Sequence, residues 1–181
     1  MQVTETNLKD CFIIEPTIFG DERGYFFETF NKQKFNELTG KEIEFVQDNE
    51  AFSNRGVLRG LHFQKGAFAQ AKLVRVVKGK VLDVVVDIRP SSKTYGEVFS
   101  CVLSEDNKKQ LFVPRGFAHG YSVLEDNTVF VYKCDNFYQP KSEGGIIFND
   151  ETLNIDWMLL EHEISVSEKD KVLKKFNELE I

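Results

Sequence analysis

Two of the three histidines sit in closely similar surroundings. His62 lies in Arg59-Gly60-Leu61-His62-Phe63-Gln64 and His119 in Pro114-Arg115-Gly116-Phe117-Ala118-His119-Gly120-Tyr121. Glycine and aromatic residues flank both, which places each imidazole where the backbone turns or approaches a ligand closely. An imidazole can take or give a proton near neutral pH. Proton transfer and a satisfied, partly buried side chain are therefore both open readings for His62 and His119. His162, in the polar Glu161-His162-Glu163, reads as a surface residue. Between Ala51 and Leu82 the chain carries Arg55, Arg59, Lys65, Lys72, Arg75, Lys78 and Lys80 and neither Asp nor Glu. One such lysine can serve only to discourage edge pairing. An unbroken run of one sign, however, builds a local potential suited to a phosphate or carboxylate ligand.

The elements that must carry these residues are short and β-rich from Lys72 onward. The spacing predicts strands over Lys72 to Val77, Val81 to Ile88, Val98 to Leu103, Leu111 to Val113, Tyr121 to Leu124 and Val129 to Cys134, separated by turn-prone pairs such as Lys78-Gly79 and Asp126-Asn127. Short strands at this spacing indicate a sandwich or barrel. In the second of them Leu82, Val84, Val86 and Ile88 share an apolar face, and Val81, Asp83, Val85 and Asp87 a mixed one. Lys72 shares a face with Val74 and Val76, and Tyr132 with Phe130 and Cys134, so each is a polar group among barrel-lining residues. Arg59 and His62 have opposite parity, so a bulge or a subunit contact must intervene if both reach one ligand. Helices are expected only at the ends, over Asn31 to Leu38, stopped near Gly40, and over Glu168 to Leu179.

The whole chain sets the outer limits. Its 181 residues, with 41% apolar residues and 17 Phe, suit one folded domain, and no linker or repeat divides them. A net charge of -6 argues against DNA or an anionic membrane as the main partner. Cys11, Cys101 and Cys134 are odd in number and lack CxxC spacing, so neither a disulfide framework nor a thiolate zinc site is indicated, and a reducing cytoplasm is the simplest setting. No apolar run approaches the roughly 18 residues of a membrane span.

Pro114-x-Gly-x-x-His119, after an earlier Gly-x-His in a β-rich chain, resembles the paired motifs of the cupin jelly roll. Metal-binding cupins carry His-x-His and a following acid, whereas here His62-Phe63-Gln64 is followed by no acidic residue until Asp83. Two imidazoles are too few donors for zinc or non-haem iron, so a metal-free cupin is expected. A closer resemblance runs along nearly the whole chain. Asp21-Glu22-Arg23-Gly24-Tyr25-Phe26, Gln47-Asp48-Asn49, Arg59 to Gln64, Ala69 to Arg75, Pro114-x-Gly-Phe-Ala-His119-Gly, Tyr132-Lys133 with Phe137-Tyr138, Asn149-Asp150 to Trp157, and Ser167-Glu168-Lys169-Asp170 are similar to the dTDP-4-dehydrorhamnose 3,5-epimerase family.

That resemblance implies an all-β, cupin-type jelly roll with short peripheral helices, notably at the C-terminus. It also implies a cofactor-independent isomerase that epimerises dTDP-4-dehydro-6-deoxy-D-glucose at C3 and C5 on the route to dTDP-L-rhamnose. A proton α to a ketone is a poor acid, so this chemistry needs a base on one face, an acid on the other and a donor at the enolate oxygen. By resemblance His62 is the base, Tyr132 the acid and Lys72 the enolate donor. Asp170 orients His62, although Ser167 to Asp170 also fits a helix cap. Arg23, Phe26, Glu28, Gln47, Asn49, Arg59, His119, Glu143 and Lys169 are implied substrate contacts, with Tyr138 stacking on thymine. Arg23 and its neighbours reach across a homodimer. Lys65-Gly66-Ala67-Phe68 departs from the family, where prolines are common. A 3-epimerase of a related sugar, a non-catalytic sugar-nucleotide-binding cupin and a metal-dependent oxygenase are the alternatives.

Overall fold

Alternating apolar residues stack the chain into two antiparallel sheets in a computed structural model that describes residues 1–180. The strands are β1 (Gln2–Glu5), β2 (Phe12–Glu15), β3 (Phe19–Asp21), β4 (Gly24–Phe26), β5 (Gln47–Ser53), β6 (Leu58–Gln64) and β7 (Lys72–Lys78), followed by β8 (Lys80–Asp87), β9 (Val98–Ser104), β10 (Gln110–Val113), β11 (Phe117–Val123), β12 (Thr128–Cys134) and β13 (Glu143–Gly145). One sheet has the order β1-β2-β10-β7-β12-β5 and the other β13-β6-β11-β8-β9, while β3 and β4 form a separate two-stranded ribbon. This is the all-β, jelly-roll-like arrangement expected.

Between the sheets, Val74, Val76, Leu111 and Phe130 of one meet Val81, Val85, Phe117 and Tyr121 of the other. The outer face of the five-stranded sheet is also covered, with Leu82, Val84 and Val86 packing against Ile146, Leu153 and Trp157. So β8 is buried on both sides, and its mixed face is the interior one. Asp87 is satisfied there by Arg89, Ser92 and Thr94. Burial alone would raise its pKa, but those hydrogen bonds bring it down to about 2. On the other sheet's outer face, the helix α1 (Lys32–Thr39) buries Phe35 against Phe12, Leu73 and Phe112. Asn31 caps α1 by accepting from the Lys34 N–H, and Gly40 ends it at φ 66°.

Two sequence expectations change. The strand expected from Tyr121 begins at Phe117, so His119 lies mid-strand. The helix expected over Glu168 to Leu179 does not form; only 3-10 turns at Asp170–Val172 and Phe176–Glu178 occur there. The intervening backbone is instead bonded to a neighbouring segment, with Ile146 and Lys174 bridged in parallel and the Ile147 N–H donating to Lys174 O. Val172 is 80% exposed, while Phe176 packs on Tyr95 at 5.2 Å. Tertiary pairing has overridden a helical period.

Candidate active site

The site begins with a close approach of two strands. Along the β6–β11 pair, His119 is opposite His62 and Tyr121 is opposite Arg59, so β6 has one residue more than β11 between these points. That extra residue is a β-bulge, and it brings Arg59 and His62 to the same cavity despite their opposite parity. Gly60 sits at φ +116°, and a Cβ on it would lie 2.6 Å from the Gly120 Cα. Only glycine permits both the dihedral and the contact.

Two adjoining cavities, of about 460 Å³ and 300 Å³, share His62, Lys72 and Tyr132 in their walls. The larger adds Arg59, His119, Lys169 and Asp170, and the smaller adds Gln47, Asn49, Tyr138 and Glu143. His62 stands on the five-stranded sheet, whereas Lys72 and Tyr132 stand on the six-stranded one. Groups from facing sheets thus border one space. Register supports this grouping: Tyr132 is opposite Val74 and Cys134 opposite Lys72, all on the interior face.

His62 Nε2 is 2.8 Å from Asp170 Oδ1, and Asp170 Oδ2 accepts from the Gly60 N–H at 3.2 Å. Asp170 is 3% exposed. Ser167 does act as a local cap, since its Oγ accepts from the Asp170 N–H, but the Asp170 carboxylate is turned to His62. A carboxylate on Nε2 fixes the hydrogen there and leaves Nδ1 with its lone pair free. Burial lowers the His62 pKa, an effect that the Asp170 charge and hydrogen bond partly oppose. Burial likewise lowers that of Lys72 and raises that of Tyr132. Among the described residues, the Lys72 ammonium has no hydrogen-bond partner, and it lies 5.8 Å from the Tyr132 ring centroid. A partly buried cation without a partner is suited to meet developing negative charge.

Around the mouth, Glu143 accepts from the Tyr138 hydroxyl at 2.7 Å and is paired with Lys169. Burial raises the Glu143 pKa, but the Lys169 and Tyr138 hydrogen bonds bring it below the usual carboxylate range. Arg59 donates to Ser53 Oγ. The divergent loop forms a 3-10 turn over Gly66–Phe68, held by Gln64 and Asn136 donating to its carbonyls.

Arg23, Phe26 and Glu28 are not brought to these cavities. Arg23 and Phe26 border a separate hollow on the β3–β4 ribbon, with Arg23 paired to Asp21 and Phe26 67% exposed, while Glu28 pairs with Lys34. Sequence reasoning gave no role to Asp83, which is 0% exposed and lies 3.0 Å from His119 Nε2. The signal was an acid flanked by Leu82 and Val84 on a strand that reads as buried. Among the described residues, no group of three or more His, Cys, Asp or Glu is placed to hold a metal ion.

Residues 5–178 match the family model for dTDP-4-dehydrorhamnose 3,5-epimerase. The chain is 49% identical over 179 residues to the enzyme of that name from Escherichia coli (strain K12), covering 99% of this chain and 96% of the relative. Its backbone is similar to the crystal structure of the corresponding enzyme from Elizabethkingia anophelis NUHP1, at a TM-score of 0.95 and 55% identity over 98% of this chain and 97% of that one. A Legionella pneumophila Philadelphia 1 dTDP-6-deoxy-D-glucose-3,5-epimerase, solved with dTDP-4-keto-L-rhamnose, is similar at a TM-score of 0.95 and 45% identity, covering 99% and 94%.

Proposed function

The chain belongs to the dTDP-4-dehydrorhamnose 3,5-epimerase family, and from that premise we propose how its residues divide the work. The protein is an isomerase that inverts C3 and C5 of dTDP-4-dehydro-6-deoxy-D-glucose to give dTDP-4-dehydro-L-rhamnose. His62 Nδ1 removes the proton α to the C4 ketone. Lys72 donates to the oxygen as it becomes an enolate, which lowers the barrier because the donor is already desolvated. Tyr132 returns a proton from the other side. The observation that carries this reading is His62 on one sheet, held by Asp170 from a 3-10 turn, facing Lys72 and Tyr132 on the other sheet. A keto sugar held between the sheets loses its α proton to one side, and the flat enolate so formed gains a proton from the other, which is inversion. Asp170 orients the base, and the chemistry needs no cofactor.

Arg59, His119, Gln47, Asn49, Glu143 and Lys169 are assigned to the sugar and diphosphate, and Tyr138 to the thymine ring. Arg59 suits a diphosphate through its planar fork of donors. Arg23, Phe26 and Glu28 stand away from their own chain's cavity, and Phe19, Tyr25 and Phe26 are each at least 60% exposed. We therefore assign these contacts to the site of a second copy in a homodimer. Residues 1–181 act as one jelly-roll epimerase domain in the cytoplasm, a setting that suits three unpaired cysteines. No helix is long and apolar enough to cross a membrane among the described residues.

The test is incubation with dTDP-4-keto-6-deoxyglucose in deuterated water, followed by NMR. Deuterium entering at both C3 and C5 is expected. Entry at C3 alone would assign a 3-epimerase instead, and no entry would refute both.

A further inference from the structure

The interior holds a second histidine–carboxylate pair beside the one assigned to proton transfer. His119 and His62 are direct cross-strand partners on β11 and β6, and Asp83 on β8 is diagonal to His119 on the same interior face. Both Asp83 oxygens lie 3.0 Å from His119 Nε2, and this ring is the carboxylate's only hydrogen-bond partner among the described residues. The two side chains are 0% and 7% exposed. Phe130 stacks parallel to the ring at 6.3 Å, so the ring is held from its face as well as its edge. His119 Nδ1 has no partner, yet no fully enclosed polar side-chain atom is left unsatisfied. Nδ1 therefore opens onto the cavity that His119 borders.

We propose that Asp83 is a positioning residue for substrate recognition: its carboxylate keeps the hydrogen on His119 Nε2, so that Nδ1 presents a lone pair to a hydroxyl of the bound sugar. The two pairs then differ in use. Asp170 accepts a second hydrogen bond, from Gly60, and its histidine is the more open of the two, as a proton-transfer group requires. Asp83 serves one ring in a closed environment and fixes what that ring can recognise. The sugar contact rests on the epimerase reading, whereas the fixed tautomer does not.

Two measurements decide it. In protein labelled with ¹⁵N-histidine, with the His119 signals assigned by their loss in His119→Gln, neutral His119 should carry its hydrogen on Nε2; hydrogen on Nδ1 would overturn the proposal whether or not any variant folds. Asp83→Asn replaces an acceptor by an amide that can donate to Nε2, which moves the ring hydrogen to Nδ1. For the dTDP-sugar, KM should rise about tenfold or more with kcat within about threefold of wild type, as for the loss of a bond to a substrate hydroxyl. Inhibition by dTDP, which has no sugar ring at this position, should be unchanged. A KM within about twofold of wild type, or an equal loss of dTDP affinity, would overturn the proposal. Wild-type protein that exchanges neither C3 nor C5 would instead refute the epimerase reading, and the tautomer measurement alone would then judge Asp83.

Discussion

At the residue scale, the assignments separate binding from chemistry. His62→Asn should lower turnover by about 10³-fold, the usual span for a lost general base being 10²–10⁴, while dTDP affinity stays near wild type. Calorimetry with dTDP would show a wrong assignment as lost binding. Tyr132→Phe has a more particular signature. The base can still remove the proton, but the acid on the facing sheet is gone, so the proton returns to the side it left. Deuterium should continue to enter the substrate while net inversion falls, and equal loss of both would remove Tyr132 from its role. The pH profile has a defined sign. The base acts neutral and its pKa is lowered chiefly by burial, so the acid limb of kcat/KM should lie below the ordinary histidine value of about 6.5. Lys72 acts as a cation and is also lowered by burial, so the alkaline limb should lie below about 10.4. Tyr132, raised by burial, keeps its proton throughout this range. An acid limb above pH 7 would contradict the His62 assignment. The grouping of His62, Lys72 and Tyr132 around one cavity was legible because their types match the chemistry and their motifs match the family. Asp83 was not, because its role depends on the diagonal placement of β8 beside β11.

At the element scale, the bulge in β6 is what lets one strand supply both a cation and a base. Two glycine substitutions test its local nature. Gly60→Ala would drive a methyl group into Gly120 and should abolish turnover through displacement of His62 and Arg59. Gly40→Ala, at the end of α1, also opposes a positive φ, but its Cβ would meet nothing within 4 Å. It should cost about 1 kcal/mol in denaturant unfolding and leave kcat unchanged. Equal effects of the two on kcat would mean that the bulge has no special part in the site. Parity reasoning called for a bulge or a subunit contact if Arg59 and His62 were to reach one ligand, and the register shows a bulge. Periodicity found β7 and β12 although their partners β10 and β5 lie far along the chain, because alternation marks a strand whatever it pairs with. It failed at residues 168–179, where the apolar spacing fits a helix but the backbone's partner is Ile146, a long-range pairing that local spacing does not encode.

At the scale of the whole molecule, the question is which copy supplies Arg23. The β3–β4 ribbon is exposed on the aromatic side chains that would meet a partner, and a two-fold dimer would present it twice. Mixing inactive His62→Asn and Arg23→Ala subunits, with exchange allowed, should restore about a quarter of wild-type activity, because half the dimers are mixed and each mixed dimer has one intact site. No recovery would place Arg23 within its own chain's site, and an active Arg23→Ala subunit would place it outside the site. The net charge of -6 conceals the acid-free stretch from Ala51 to Leu82, of which Arg59 and Lys72 reach the cavity.

The route taken by Asp170 also fixes an order of events during synthesis. The last strand of either sheet ends at Gly145, and Asp170 is carried to His62 by a later segment tethered through the Val57–Ser165 bridge. Translation runs from the N-terminus, so every strand of the two sheets is synthesised before the carboxylate that orients the base. Until that later segment docks, His62 lacks the hydrogen-bond partner that orients it, so the site is completed after the sheets that frame it.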